Sequence, residues 1–115
     1  MTKTSRPLNL YDFTGIDWDS EDAPDSNVAH CARHGVNGRV VGEVLSGRWV
    51  DVEMLVDTAE FAIVGPNAKR SEMWTLLFDT SWKDNNLLRP VTGWRARPKD
   101  IREWEKETRE KWRKR

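Results

Sequence analysis

From Val50 to Val56 apolar side chains recur at every second position: Val50, Val52, Met54 and Val56 alternate with Asp51, Glu53 and Leu55. Period two places one set on a single face of an extended chain, so this stretch reads as a half-buried strand. Two further strands follow. Glu60 to Val64 is stopped by G-P-N, and Met73 to Asp79 carries Trp74, Leu76 and Phe78 on one face. S-W-K-D-N-N supplies a turn, after which Leu87 to Trp94 reads as the closing strand. Pro90 within it has no amide donor, which puts it at an edge or aims it away from a neighbour. Ahead of these, Tyr11, Phe13 and Ile16 suggest a short first strand interrupted by Gly15, within Tyr11 to Trp18.

Helical spacing appears in three places. After W-D-S-E-D-A-P-D, Asp22 or Asp25 can cap a first helix running to His34, with Pro24 early in it and Gly35 as a left-handed stop. Its apolar face is thin: Val28, Ala29, Cys31 and Ala32. Asn37 caps a second helix in which Val40, Val41, Val44 and Leu45 share a side and Gly47 ends the run, although V-V-G-E-V-L also fits a strand. Pro98 to about Lys114 reads as a third helix with Ile101, Trp104, Thr108 and Trp112 on a narrow stripe. Glu105 with Arg109, Glu107 with Lys111 and Glu110 with Lys114 are spaced to pair across single turns. The expectation is an α+β fold, a small antiparallel β-sheet of four to five strands with two N-terminal helices and one C-terminal helix. Residues 1–10, polar and without a period, read as a flexible tail, and 11–115 as a single domain.

Composition sharpens this picture. At 115 residues one core can close, but only 37% of positions are hydrophobic and 33% are charged. Seven tryptophans can supply what the aliphatics lack, since an aromatic side chain buries on the order of 150 to 250 Å². Cys31 is the single cysteine, which excludes an internal disulfide and a multi-cysteine zinc site. His30, Cys31 and His34 offer too few ligands for tetrahedral zinc, so no metal and no small-molecule cofactor are expected. No charged-then-apolar leader is read at the start and no apolar run approaches the roughly 20 residues of a membrane span. A cytoplasmic protein without membrane contact is the expectation.

Charge is neutral in sum and polarised in sequence. Residues 89–115 hold 11 Lys/Arg against 5 Asp/Glu, whereas residues 1–25 hold 2 against 6. A chain that gathers its cations at one end presents an anion-binding face whatever its overall charge. Chemistry at such an anion-binding face needs a group to move protons and groups to hold a charged phosphate. Histidine, with an unperturbed pKa of roughly 6.5, serves the first task, and the guanidinium fork serves the second. His34 is thus the candidate acid or base, with Arg33, Arg89 and Arg95 as phosphate ligands. Arg97, Lys99 and Trp94 are candidate RNA contacts, and Trp82 is a further aromatic that could stack on a base. The plainer reading makes His34 a helix-terminal residue, pairs Arg89 and Arg95 with the acidic N-terminal third, and puts the tryptophans in the core.

The W-D at Trp18, the helix ending A-R-H-G-V (Ala32 to Val36), the short helix behind it, and R-P-V-T-G-W (Arg89 to Trp94) before a charged helix resemble the BrnT family. These are toxins of bacterial type II toxin–antitoxin pairs with a RelE-like fold, and the resemblance spans about residues 16–110. It implies a ribonuclease that blocks translation, acts on an RNA substrate, and is held inactive by a ribbon-helix-helix antitoxin protein that also binds DNA. Arg33 and His34 stand where such proteins usually read Lys-His, and Arg89 and Thr92 match a basic residue and a small hydroxyl. Trp94 stands where the family often has Arg, and Asp79 and Thr80 where it often has a basic residue. The second expectation, from those departures, is a non-catalytic binding or regulatory protein on the same scaffold.

Overall fold

A computed structural model of the chain describes residues 4–54 and 59–113. The elements in order are a 3₁₀ turn at Leu10–Asp12, β1 (Gly15–Ile16), α1 (Asn27–Ala32), α2 (Gly38–Ser46), β2 (Val50–Asp51), β3 (Phe61–Pro66), β4 (Met73–Thr80), β5 (Leu87–Arg95) and α3 (Pro98–Thr108). The fold is α+β, with five strands in the order β1-β5-β4-β3-β2. All pairs are antiparallel except β1 with β5, which makes the sheet mixed. Period two along β3 and β4 explains why helices lie on both faces. Phe61 and Ile63, with Trp74, Leu76 and Phe78, form a cluster with Cys31, Val36, Val41 and Val44 from the α1–α2 region. The alternate residues Ala62, Val64, Met73 and Leu77 pack with Trp104 of α3.

Several boundaries differ from expectation. The first strand shrinks to two residues, because Tyr11 is held in the 3₁₀ turn by the Asn9 side chain and Gly15–Ile16 alone pair with Leu87–Leu88. Neither Asp22 nor Asp25 caps α1: the Ser26 hydroxyl accepts from the Ala29 amide, and Pro24 lies in the preceding turn. α1 also ends at Ala32, before His34. The α2 reading holds, with Asn37 as cap and Gly47 behind. Of the expected strand 50–56 only Val50–Asp51 pair, and residues 55 and 56 fall outside the described residues. α3 stops at Thr108, because Arg109 turns left-handed with φ 60°. Glu105 therefore accepts from the Trp112 amide, and Glu110 reaches Arg48 and Arg70, so the expected Glu105–Arg109 pairing does not form. Lys114, the expected partner of Glu110, lies outside the described residues.

The stretch read as a loose tail is tied down from Ser5 onward. Ser5 bonds Met54 through its amide and Val52 through its hydroxyl, the Arg6 amide reaches the Glu60 carbonyl, and the Leu8 amide donates to Asp51. Leu8, at 6% exposure, belongs to the core.

Pro90 is accommodated inside the sheet by a local device. β4 lies on one side of β5, with a register shift at Leu77/Phe78, while β1 covers only the first two residues of the other side. Beyond them the buried Asn27 side chain donates to the Pro90 carbonyl and to the Asp17 carbonyl, closing the edge where a strand would otherwise pair. α1 is thereby seated along β5.

Candidate functional site

Where α1 runs beside β5, the two enclose a hollow of about 590 Å³ whose lining includes Asp25, His30, Arg33, Asp79, Arg89 and Val91. His30 and Arg33 stand three residues apart on α1 and its cap, the spacing that places side chains on one helix face. Both are exposed, whereas Arg89 is sunk at the base with 16% of its side chain accessible.

Arg89 is committed to carboxylates. One guanidinium nitrogen lies 3.2 Å from an oxygen of Asp17 and 2.9 Å from one of Asp19, and the other donates to Asp19 at 2.6 Å. Lys83 adds contacts to Asp19 at 2.6 Å and to Asp17 at 3.4 Å, while the Ser81 hydroxyl donates to Asp17. Two cations against two anions sum to zero. The hydrogen bonds from Arg89 and Lys83 hold the Asp19 carboxyl far below the ordinary value of 3.8. Burial raises the Asp17 carboxyl, but the bonds from Ser81, Arg89 and Lys83 outweigh it, and its pKa too is lowered. Asp19 in turn pushes Arg89 still higher in its charged form. The sequence explains the network. Asp17 follows β1, Arg89 is one residue on from the β1 partner Leu88, and the Asp17 amide bonds the Leu88 carbonyl.

The residues expected to act together separate into two groups. Arg33 and Arg89 meet at the hollow. His34 stands next to it but is not among its lining residues: it lies past the end of α1, its amide bonded to Cys31, with its ring edge-on to His30 at 5.7 Å. Arg95, six residues beyond Arg89, is roughly 20 Å further along the strand. It pairs with Glu72 and lies over the Trp74 ring, 5.4 Å from its centre. Arg97 stacks on Trp94 at 5.2 Å, and Trp94 itself packs into the core cluster beneath α3. Lys99 is exposed in the first turn of α3, beside a separate small hollow with Glu53 and Glu103. One imidazole with three guanidiniums around a single phosphate is therefore not the arrangement found.

Sequence reasoning passed over His30, Asp25 and Asp79 as members of the hollow. For His30 a signal existed: it is three residues from Arg33 and from the buried Asn27, whereas His34 lies beyond the end of α1, where helical spacing no longer fixes its direction. Asp79 was visible only as a departure, and its register opposite Arg89 sets its place. Its carboxylate accepts from the Glu60 amide. Cys31 is fully buried and its thiol is pushed up to about 11 by desolvation, which removes it as a nucleophile. Among the described residues no three His, Cys, Asp or Glu side chains gather to hold a metal ion, and no helix is long and apolar enough to cross a membrane. Compared with models of protein families, with curated proteins and with solved structures, the chain matches none.

Proposed function

We propose that this chain is a non-catalytic binding protein on a BrnT-like, RelE-like scaffold, acting in the cytoplasm, with the hollow between α1 and β5 as its recognition site. The observation that carries this reading is the capture of Arg89 by Asp17 and Asp19. A phosphate entering the hollow must compete with two carboxylates already bonded to that guanidinium. It would also meet Asp25 and Asp79 among the lining residues. Polyanion binding depends on unopposed cations, whereas a lining that alternates sign suits the side chains of a protein partner. A ribbon-helix-helix protein encoded beside this chain is the partner that the sequence resemblance suggests.

The ribonuclease reading has one supporting observation: His30, Arg33 and Arg89 line the same hollow. In that reading His30 moves the proton in place of His34. The two separate cleanly when the purified chain is incubated with RNA and, in parallel, titrated with the neighbouring ribbon-helix-helix protein. Binding of the protein, weakened about tenfold or more by Arg33→Ala, with RNA left intact, is the expected result. Time-dependent RNA cleavage that His30→Ala abolishes overturns it in favour of the enzyme.

A further inference from the structure

Among the described residues two large aromatic side chains stand bare: Tyr11 is 98% exposed and Trp82 81% exposed. The core does not use them, although tryptophan is the residue on which this lean composition depends for burial. Both belong to one end of the sheet. Trp82 lies in the β4–β5 turn, and Tyr11 lies in the 3₁₀ turn just before β1, which the Thr14 amide ties to that same β4–β5 turn through the Asn86 carbonyl. Exposed aromatics of this kind are what interfaces use as anchors, being large, stiff and amphipathic.

The charges around them decide what they fit. Every described cation of this end is engaged: Arg6 with Glu60, and Lys83 and Arg89 with Asp17 and Asp19. Asp12 and Asp84 are exposed and, among the described residues, form no ion pair. The three cations named, against Asp12, Asp17, Asp19, Glu60 and Asp84, leave these described residues at −2. A nucleic acid stacking on Trp82 would bring its phosphates against that surplus, which opposes the base-stacking role. A cationic side chain meets attraction from both the carboxylates and the ring faces. The protein already shows the contact in miniature, since the Lys83 ammonium lies 5.3 Å from the centre of the Trp82 ring.

We propose that the Tyr11–Trp82 end is a docking surface for a basic segment of a partner protein, with Lys or Arg side chains seated on the two rings and held by Asp12 and Asp84. It is separate from the α1–β5 hollow and does not rest on the function proposed for it. The test uses the full chain, a Lys/Arg-rich hexapeptide, an equally long Glu-rich peptide and a short single-stranded RNA, followed by the Trp82 indole N–H signal in NMR titration at low and physiological salt. The basic peptide alone should shift that signal in a saturable, salt-weakened manner. Tyr11→Ala or Asp12→Lys with Asp84→Lys should each weaken binding at least fivefold by that signal, and Trp82→Ala should do so by the backbone amide signals of Lys83 and Asp84, with the rest of each spectrum unchanged. A Trp82 signal that stays fixed up to millimolar basic peptide, affinity indifferent to all three variants, or a Trp82 shift driven by RNA would each overturn the proposal.

Discussion

The two ends of β5 carry the same residue type to opposite effect. Arg89 is 16% exposed and shared between two aspartates, with Lys83 and Ser81 bracing the group. Arg95 is 53% exposed, pairs with the single carboxylate of Glu72, and lies over an indole. An ion pair taken out of water is held strongly by its partners and punishes the loss of either one, whereas an exposed pair is screened and worth little. In this chain depth, rather than charge, separates an arginine spent on the fold from one open to a ligand.

Breaking the deep end should cost the most. Arg89→Met leaves Asp17 and Asp19 facing each other with only Lys83 between them, and a loss of about 3 to 5 kcal/mol in urea unfolding is expected. Asp19→Asn removes one partner and keeps the shape, for about 1.5 to 3 kcal/mol at neutral pH. The same variant sharpens the comparison through pH. Because the folded-state pKa values of Asp17 and Asp19 lie below the ordinary 3.8, their stabilisation is complete above about pH 4 and is lost as pH falls through the folded values. Acid unfolding of the native chain should therefore steepen below about pH 4, and in Asp19→Asn that slope should be visibly smaller. At the shallow end, Arg95→Ala should shift stability by less than about 1 kcal/mol, an effect that added salt removes. His30→Ala and Arg33→Ala, at the open rim of the hollow, should stay within about 0.5 kcal/mol in thermal unfolding and leave any effect to binding.

Much of the fold was legible in the residues, and the reason is periodicity. The G-P-N stop after Val64 marked the end of β3, Trp74, Leu76 and Phe78 at alternate positions marked β4, and Asn37 with Gly47 bounded α2 nearly to the residue, whereas the period-two stretch from Val50 pairs only at Val50–Asp51. What escaped was decided by contacts distant in sequence. Whether Pro90 could sit inside a sheet depended on Asn27 reaching its carbonyl across 63 positions, and the length of α3 depended on Arg109 taking a left-handed turn. The helix ending at Ala32 rather than His34 moved the imidazole of the hollow to His30. The site was half visible: Arg33 and Arg89 do meet. Charge counting showed an acidic beginning and a basic end, and the pairing of Arg89 with that acidic third was one of the two readings it allowed. Choosing between them needed the parallel β1–β5 register, which no local pattern encodes.

The commitment of Arg89 to the fold is most directly measured by a double-mutant cycle between Arg89 and Asp19, read by urea unfolding at neutral pH. A coupling energy of about 2 to 3 kcal/mol is the result this account predicts. Losses that simply add, within about 0.5 kcal/mol, would show Arg89 to be free for a ligand and contradict it.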